Sequence, residues 1–379
     1  MYEQQKTSYS GSGNEIVRVV GDIIHYIDPM DTPLTAALGG FDSARGKFKV
    51  NMQGKKIELL EDEYAPLAGA LAAGGATSMA TDDTQFTFAD ASPFQDGTMI
   101  LIDTEYLVVK AVNNTTQVVD FYTRGTYSTA TTHASTAAVA IVGMARLEGD
   151  DADYASLTDI GTAYNYSSIF QKALNISETD IALDYYGMSD SFSYQSGKVL
   201  PEQFRLFELA LFHGQRYVGT AALPRAMGGL GTFIGSNTVA AGGAITKADI
   251  DDLAEKIYLD GGQPDLLCLH PSVVQDLKDI LDSSSFVRIT QQEGSILGTK
   301  PMRGVSTQWG DLLIVSSRFQ PLATGYILDS RKVGPYQLRP FAWHDLARVG
   351  DSRKGEVVGE LSLLVANNEA HGTITGITS

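Results

Sequence analysis

The spacing of apolar residues predicts a chain built mainly from short strands. Between positions 78 and 145, apolar runs such as QFTF, TMILID, EYLVVKAV, TQVVDF and AAVAIVG follow one another at short intervals. Turn signals separate the runs, including Asp96-Gly97, Asn113-Asn114 and Arg124-Gly125. This pattern is typical of a small all-β barrel or sandwich.

Two strand-like segments flank this β-rich stretch. The first lies near residues 47–63, and the second, SSIFQKALNISETDIALDYYG, runs from Ser167 to Gly187. Both alternate loosely between apolar and polar residues. We expect them to be the two sides of one extended hairpin, with the β-rich stretch inserted between them.

Helical spacing predicts three helices in the second half of the chain. One covers 201–219 and begins at Pro201, a favourable residue for a first turn. Another begins near Thr246, whose hydroxyl can cap it, and ends at Gly261-Gly262. A third begins at Pro271, directly after the apolar run DLLCL. The expected buried stripe of the second helix is Ile250, Leu253, Ile257 and Tyr258.

The remaining apolar runs predict strands that complete an α+β fold. GDLLIVSS, TGYILD, KVGPYQL and GEVVGELSLLVAN follow the third helix. Residues 246–335 are therefore expected to place helices against a sheet. Residues 1–40 have few apolar positions of their own, which favours an extended arm that packs on other parts.

Composition and charge narrow the classes of function. The chain has 379 residues and a formal net charge of −17, and its pI is about 4.7. An acidic surface repels phosphate, which argues against sequence-independent nucleic-acid binding by the whole molecule. Cys268 is the only cysteine, so no intramolecular disulfide forms, and we expect a buried thiol. No segment has the pattern of a signal peptide or a membrane span, which predicts synthesis in the cytoplasm.

Motifs for catalysis, cofactors and metals are missing from the sequence. The glycine loop Met227–Gly235 follows a predicted helix and lacks the GK[ST] ending of a phosphate-binding loop. The acidic tract with Glu148, Asp150, Asp151 and Asp153 does not have EF-hand spacing, so we interpret it as solvated turn charges. The six histidines form no HExxH motif, and no GxSxG elbow is present. We therefore predict no catalytic residue, no cofactor and no metal.

Two clusters of opposite charge are the candidate contact residues. The acidic cluster lies on the predicted hairpin, which has little to bury within one subunit, and the basic cluster lies near the C-terminus. We expect the two to meet between neighbouring copies, although a solvated acidic face explains the first cluster equally well. The acidic cluster is Glu58, Glu61, Asp62 and Glu63, and the basic cluster is Arg339, Arg348, Arg353 and Lys354.

Several short motifs are scattered over most of the chain. They are EGDDADYASL, SSIFQKALNIS, LHPSVVQDL, VSSRFQP, YILD, RPFAWHDLARVGDS and NNEAHG. With these motifs the chain resembles the major capsid proteins of tailed bacteriophages, which have the Hong Kong 97-type fold. Within them it is similar to the group that carries a small β-module in the extended hairpin.

The resemblance implies an α+β domain layout. The parts are an N-terminal arm (1–40), an extended loop (41–77 and 146–186), an inserted barrel-like β-module (78–145), a peripheral domain (187–245 and 336–379) with a spine helix (201–219), and an axial domain (246–335). Within this layout, Pro340–Trp343 would pack where the axial domain returns to the peripheral domain. The long C-terminal strand would belong to the peripheral sheet.

The resemblance also implies a structural function. The chain would self-assemble through hexamers and pentamers into the icosahedral head shell around a double-stranded DNA genome, in the virion, after synthesis in the host cytoplasm. Its implied partners are a portal protein, a separate scaffolding protein, a decoration protein and, through weak non-specific contact, the packaged DNA, but no membrane. A separate scaffold is expected because no long, charged, helical prefix is present.

Two other functions stay open from the sequence alone. A tail or baseplate protein would share the β-rich composition and the self-association. A polysaccharide-binding or hydrolytic protein would carry its site on the β-module. That second alternative is disfavoured because Trp309 and Trp343 both lie outside the module.

Overall fold

The structure is a computed structural model of the chain. It describes residues 32–39, 54–62, 64, 68–70, 78–149, 160–183, 185, 190–283 and 304–378. Most of the expected N-terminal arm, Glu63 and the acidic residues 150–153 lie outside the described residues. The chain forms two compact units, one of residues 1–59 with 162–379 and one of residues 60–161. We call these the main unit and the second unit.

Strands dominate the described part of the chain. They are β1 Lys56–Glu61, β2 Ala68–Ala70, β3 Gln85–Thr87, β4 Thr98–Ile102, β5 Glu105–Asn113, β6 Val118–Phe121, β7 Ala138–Met144, β8 Gly161–Tyr166, β9 Ser168–Ser177, β10 Asn237–Ala240, β11 Leu266–Leu269, β12 Gly304–Thr307, β13 Gly310–Ser316, β14 Thr324–Leu328, β15 Val333–Asp345, β16 Ser352–Val365 and β17 Gly372–Thr375. The helices are α1 Pro33–Ala37, α2 Glu178–Ile181, α3 Ser191–His213, α4 Leu230–Phe233, α5 Lys247–Leu259 and α6 Pro271–Ser283, with a 3-10 turn at Asn368–Ala370.

The second unit contains one six-stranded sheet. Its strand order is β2-β7-β4-β5-β6-β3. Each of the five predicted apolar runs between 78 and 145 forms one of these strands. Alternate side chains point to one face and build the core of the unit. The buried members are Met79, Phe86, Phe88, Ala91, Phe94, Ile100, Ile102, Leu107, Val109, Val119, Phe121 and Val139.

The main unit contains a six-stranded mixed sheet. Its order is β10-β17-β14-β11-β13-β12, in which β11 runs parallel to β13 and antiparallel to β14. The central strand β11, the run LLCL, is buried along its whole length. Strand and helix predictions are confirmed here, since α6 starts at Pro271 and strands form at 310–316 and 324–328.

Helix α5 confirms its predicted cap and corrects its predicted stripe. The Thr246 hydroxyl accepts from the Asp249 backbone N–H, and Asp249 bonds back in a capping box. Tyr258 was expected in the core but is 53% exposed, because the helix turns it away from the sheet. Ala254 takes the fourth buried position beside Ile250, Leu253 and Ile257.

The helix predicted over 201–219 has different ends. It is α3, which spans Ser191–His213. Its true N-cap is Asp190, whose carboxylate accepts from the Phe192 backbone N–H. Pro201 therefore lies inside the helix, and the residue four positions earlier is Gly197. Proline was a misleading start signal, because the helix continues through it.

The predicted return strand of the hairpin is also wrong. The segment that begins at Ser168 forms β9, which pairs antiparallel with β16 in the three-stranded sheet β15-β16-β9. The partner of β1 is the preceding strand, β8. Phe170 of β9 packs on Phe207 of α3, so one face of this strand is partly covered by α3 and the strand does not extend with β1.

Candidate assembly surface

Helix α3 packs on the sheet β15-β16-β9 through aromatic rings. Phe170 lies edge-on to Phe207 with ring centroids 5.7 Å apart, and Phe204 lies edge-on to Phe341 at 5.0 Å. Phe192, in the first turn of the helix, contacts Trp343 at 5.8 Å. Such edge-to-face pairs add to the stabilisation from burial. The aromatic tract 340–343 therefore does pack locally, as the sequence predicts.

Two glycines of β16 make room for these aromatic rings. A Cβ atom on Gly355 would lie 2.1 Å from Cζ2 of Trp343, and one on Gly359 would lie 2.4 Å from Cδ1 of Phe341. Neither distance is possible without a shift of the ring. Because these glycines have no side chain, the Trp343 and Phe341 rings can lie over β16. The same rings contact α3, so their position sets the position of α3 on the sheet.

Asn165 lies near the end of β8, where the paired strands β1 and β8 join the rest of the main unit. We call this end of the pair the hairpin root, and hydrogen bonds of Asn165 hold it in place. Its side-chain amide donates to the carbonyl oxygens of Gly228, at 3.1 Å, and Leu363, at 2.5 Å. Its Oδ1 accepts from the backbone N–H of Gly228 at 2.8 Å. The residue is fully buried, and these bonds satisfy its polar atoms.

The buried carboxylate of Glu360 also holds the hairpin root. Glu360 of β16 accepts from the Ser167 hydroxyl at 2.6 Å and forms ion pairs with Arg225 and Arg339. Burial raises the pKa of Glu360, but the Ser167 bond and the two guanidinium groups outweigh burial and hold the pKa below its usual value. The hairpin root is therefore fixed by charged hydrogen bonds.

The start of the described chain is held by a second buried carboxylate. Glu208 of α3 accepts from the backbone N–H of Leu34 at 2.8 Å and of Thr35 at 3.0 Å. It also accepts from the Thr35 hydroxyl at 2.6 Å. These donors are the free N–H groups at the start of α1, so Glu208 caps a helix from another segment of the chain. Leu34 beside it is fully buried.

The predicted basic contact residues have partners inside the chain. Arg339 pairs with Glu360, and Arg348 pairs with Glu178. The Arg353 guanidinium lies over the Phe192 ring, 4.1 Å from its centroid. For the Lys354 ammonium no ion pair is found among the described residues, and the side chain is half-buried. These four residues lie along β15, β16 and the turn between them.

The predicted acidic contact residues lie on or next to β1. Glu58 forms an ion pair with Lys56 on the same strand, and its side chain is 53% exposed. Glu61 is the last residue of β1, and Asp62 after it is exposed. The described ion pair of Glu58 is with Lys56 and not with a basic residue of β15 or β16.

Apolar side chains remain exposed on several elements of the main unit. The outer face of α3 exposes Leu206 and Leu209, and the β15–β16 turn exposes Val349. Such residues are ordinary when single, but here they recur on an element that also anchors the fold. Among the described residues, no three His, Cys, Asp or Glu side chains are placed so that they could hold a metal ion together, and none of the described helices is long and apolar enough to span a membrane.

Sequence reasoning missed the residues that hold these segments. Glu208, Asn165 and Glu360 are the anchors, and none of them belongs to a known motif. The available signal was a charged residue inside an apolar run, as in LFELALF and GELSLLV. A buried charge has to be paired, so such positions indicate a specific partner elsewhere in the chain.

Comparison with known proteins identifies the family. A family model described as SU10 major capsid protein matches residues 2–378. The curated proteins contain no match. The capsid asymmetric unit of cyanophage A-1(L) is 12% identical, and the match covers 97% of this chain and 99% of the other, with a TM-score of 0.56. The capsid of a native GTA particle is 10% identical over 99% of both chains, with a TM-score of 0.54.

These structural likenesses have low sequence identity and show the fold alone. The fold is α+β and Hong Kong 97-like, as the sequence resemblance implies. The family match is independent of them and covers nearly the whole chain. The chain therefore belongs to the SU10 major capsid protein family and is a structural shell protein of a tailed bacteriophage.

Proposed function

We propose that the chain self-assembles through hexamers and pentamers into a closed icosahedral head shell that encloses a double-stranded DNA genome. The observation that carries this proposal is the family match over residues 2–378. The exposed leucines of α3 support it, because a subunit that works in an assembly leaves apolar surface for its neighbours. Its role is assembly and not catalysis, and it is made in the host cytoplasm.

The domain layout follows the shell role. The arm is residues 1–40, the extended loop 41–77 and 146–186 without β9, the β-module 78–145, the peripheral domain 187–245 with 336–379, and the axial domain 246–335. β9 lies with the peripheral domain, because it pairs with β16. The division of the chain near residues 60 and 161 supports a module set into the loop. The Glu208 anchor supports an arm that leaves from the side of the spine helix.

The acidic and basic clusters form a contact between neighbouring subunits in this proposal. Glu58, Glu61, Asp62 and Glu63 of one copy lie near the basic tract of the next. Lys354 is the main cation there, while the intrachain pairs of Arg339 and Arg348 compete with the contact. An exposed pair is worth about 0–1 kcal/mol, so only repetition over a whole shell gives these contacts weight.

Other partners follow from the same role. A portal protein, a separate scaffolding protein and a decoration protein act with the shell. The packaged DNA touches it only weakly and without sequence preference, because the subunit has a net charge of −17. A weakly repulsive inner wall lets the genome move during filling.

Sedimentation of the expressed full-length chain tests the proposal. We expect fast-sedimenting particles of one or two discrete sizes, because a closed shell stops growing when it closes. Particles isolated from an infected host should protect DNA of genome length from nuclease. Open-ended polymers of continuously variable size, or only small oligomers, would contradict the proposal.

A further inference from the structure

A buried histidine of the second unit lies between two carboxylates. The side chain of His133 is fully buried. Its Nδ1 is 2.8 Å from Oδ2 of Asp103, and its Nε2 is 3.0 Å from Oε2 of Glu105. The shell function proposed above makes no use of this arrangement.

Glu105 is ionised at neutral pH, although it is fully buried. Its two oxygens accept from Nε and Nη2 of Arg124 at 3.0 and 2.7 Å, and Oε2 also accepts from the Thr131 backbone N–H at 2.9 Å. Burial raises the pKa of Glu105, but the bonds from Arg124, Thr131 and His133 outweigh burial and hold the pKa at about 2. An ionised carboxylate can only accept hydrogen bonds, so Nε2 of His133 has to carry a hydrogen.

The Asp103 carboxylate likewise requires a hydrogen on the other ring nitrogen, Nδ1. The side chain of Asp103 is 60% exposed at the β4–β5 turn, where water solvates its carboxylate. Nδ1 therefore donates to Asp103. A histidine with hydrogens on both nitrogens is an imidazolium cation. Its charge and that of Arg124 balance the charges of Asp103 and Glu105.

The cluster has the outline of a catalytic triad but lacks the chemistry of one. Thr131 Oγ1 lies 3.4 Å from Nε2 of His133, with Asp103 on the opposite side of the ring. A general base needs a free lone pair on Nε2 to take the hydroxyl proton. Here Nε2 donates to Glu105, so no lone pair faces Thr131.

The charged cluster joins four segments of the second unit. Arg124 also donates to the carbonyl oxygens of Ala80 and Thr131. The backbones of Met79 and His133 exchange two hydrogen bonds of 2.9 and 3.0 Å. Loss of the charge on His133 would therefore weaken contacts of the β4–β5 turn, of residues 79–80 and of residues 131–133 together.

We propose that His133 is a cationic latch that holds the β4–β5 turn, residues 79–80 and residues 131–133 of the second unit together, and that the latch opens when the ring loses its proton. The charged groups that face the ring are the Asp103 and Glu105 carboxylates, with the Arg124 guanidinium behind Glu105. Folding favours the charged ring, so the stabilisation is present on the acid side and is lost as the pH rises. A neutral ring has a lone pair on one nitrogen. That lone pair would face a carboxylate oxygen, and the two would repel each other.

Nitrogen NMR of the full-length subunit with labelled histidine tests the charge directly. At neutral pH we expect His133, assigned by its loss in His133→Gln, to show two protonated ring nitrogens. One unprotonated nitrogen would overturn the proposal. This readout is taken on the unaltered chain, so it does not depend on whether a variant folds.

Hydrogen exchange with an Asp103→Asn variant tests the latch. An asparagine side chain can accept from Nδ1 or donate to it, so it accommodates both forms of the ring. We expect the unaltered chain and the control Asp82→Asn, an exposed residue of the same unit, to exchange about tenfold faster at residues 98–113 and 131–133 in alkaline solution, after correction for intrinsic rates. Asp103→Asn should lose most of this pH dependence. Equal acceleration in all three chains would overturn the latch.

Discussion

At the scale of single residues, the fold depends on a few buried polar groups that each hold two distant segments together. Glu208 shows this most simply, since it joins α3 to residues 34 and 35.

We expect Glu208→Gln to lower the free energy of unfolding by about 1–3 kcal/mol, because one amide NH₂ would face a backbone donor. Urea unfolding measures the loss, and hydrogen exchange at residues 33–37 locates it. Glu255→Gln, on the exposed side of α5, is the control. Unchanged exchange at residues 33–37 would contradict the anchor.

His371 predicts a pH dependence at the same scale. Burial lowers the pKa of this fully buried ring to about 4, while its Nδ1 accepts from the Asp329 backbone N–H at 3.2 Å. The unfolded value is about 6.5, so the stabilisation is present above about pH 6.5 and is lost as the pH falls towards 4, by about 3 kcal/mol in total.

Comparison of variants isolates this contribution. Asparagine at position 371 keeps an acceptor for the Asp329 N–H but has no ring to protonate. Between pH 7 and pH 4, His371→Asn should therefore lose about 3 kcal/mol less stability than the unaltered chain, as measured by urea unfolding. His344→Asn, which changes an exposed ring, should behave like the unaltered chain. A parallel loss in all three chains would show that His371 does not titrate as proposed.

Residue-level prediction succeeded where a local pattern was sufficient. Thr246 and Asp249 form a helix cap within four consecutive residues, so the sequence shows both partners. Cys268 lies in an apolar run and is buried. Glu208 could not be assigned a partner in this way, because that partner is a backbone segment 173 or 174 residues away. Nothing short of the tertiary fold indicates such a pairing.

At the scale of elements, the position of α3 depends on the two glycines of β16 that receive aromatic rings. We expect Gly355→Ala to cost about 1–3 kcal/mol, because the new Cβ overlaps the Trp343 ring. Gly235→Ala is the matched control, since its Cβ would meet no atom within 4 Å. Thermal unfolding compares the two variants.

A double substitution separates this clash from a general loss of strand stability. Gly355→Ala combined with Trp343→Leu should be less destabilised than the sum of the single changes, because the smaller side chain leaves room for the methyl group. Strict additivity of the two changes would contradict the proposed contact between ring and glycine.

Prediction of elements was right about most strands and wrong about the ends of α3 and about the partner of β1. The strands between 78 and 145 were predictable because turn residues bound each short apolar run. Pairing was not visible, because the same alternation fits β9 beside β1 or beside β16, and only the packing of Phe170 on Phe207 decides between them. Pro201 misplaced the start of α3, since a proline can begin a helix or lie within one.

At the scale of the whole molecule, contact between copies is expected to involve opposite charges. We expect Glu58→Lys and Lys354→Glu each to slow particle formation, and the double variant to recover most of the rate, because the exchange restores opposite charges across the contact. Light scattering of purified subunits measures the rate. Glu255→Lys, with the same change in charge on exposed α5, is the control. A double variant no faster than the slower single variant would contradict the contact.

The family and fold class could be derived from scattered short motifs, whereas the assembly contacts could not. In the motif RPFAWHDLARVGDS, Phe341 and Trp343 pack on α3. A contact residue on a surface is defined by the residue that it meets on the neighbouring copy. The sequence of one chain does not show which of its residues meet across such a contact. This is why the acidic and basic clusters remain a proposal while the fold does not.

Electron microscopy of the particles formed by the expressed full-length chain tests shell assembly most directly. We expect closed icosahedral shells, in which the density of each subunit fits the main unit with α3 lying on the sheet β15-β16-β9. Tubes, small rings or unassembled subunits under conditions in which the chain is folded would contradict it.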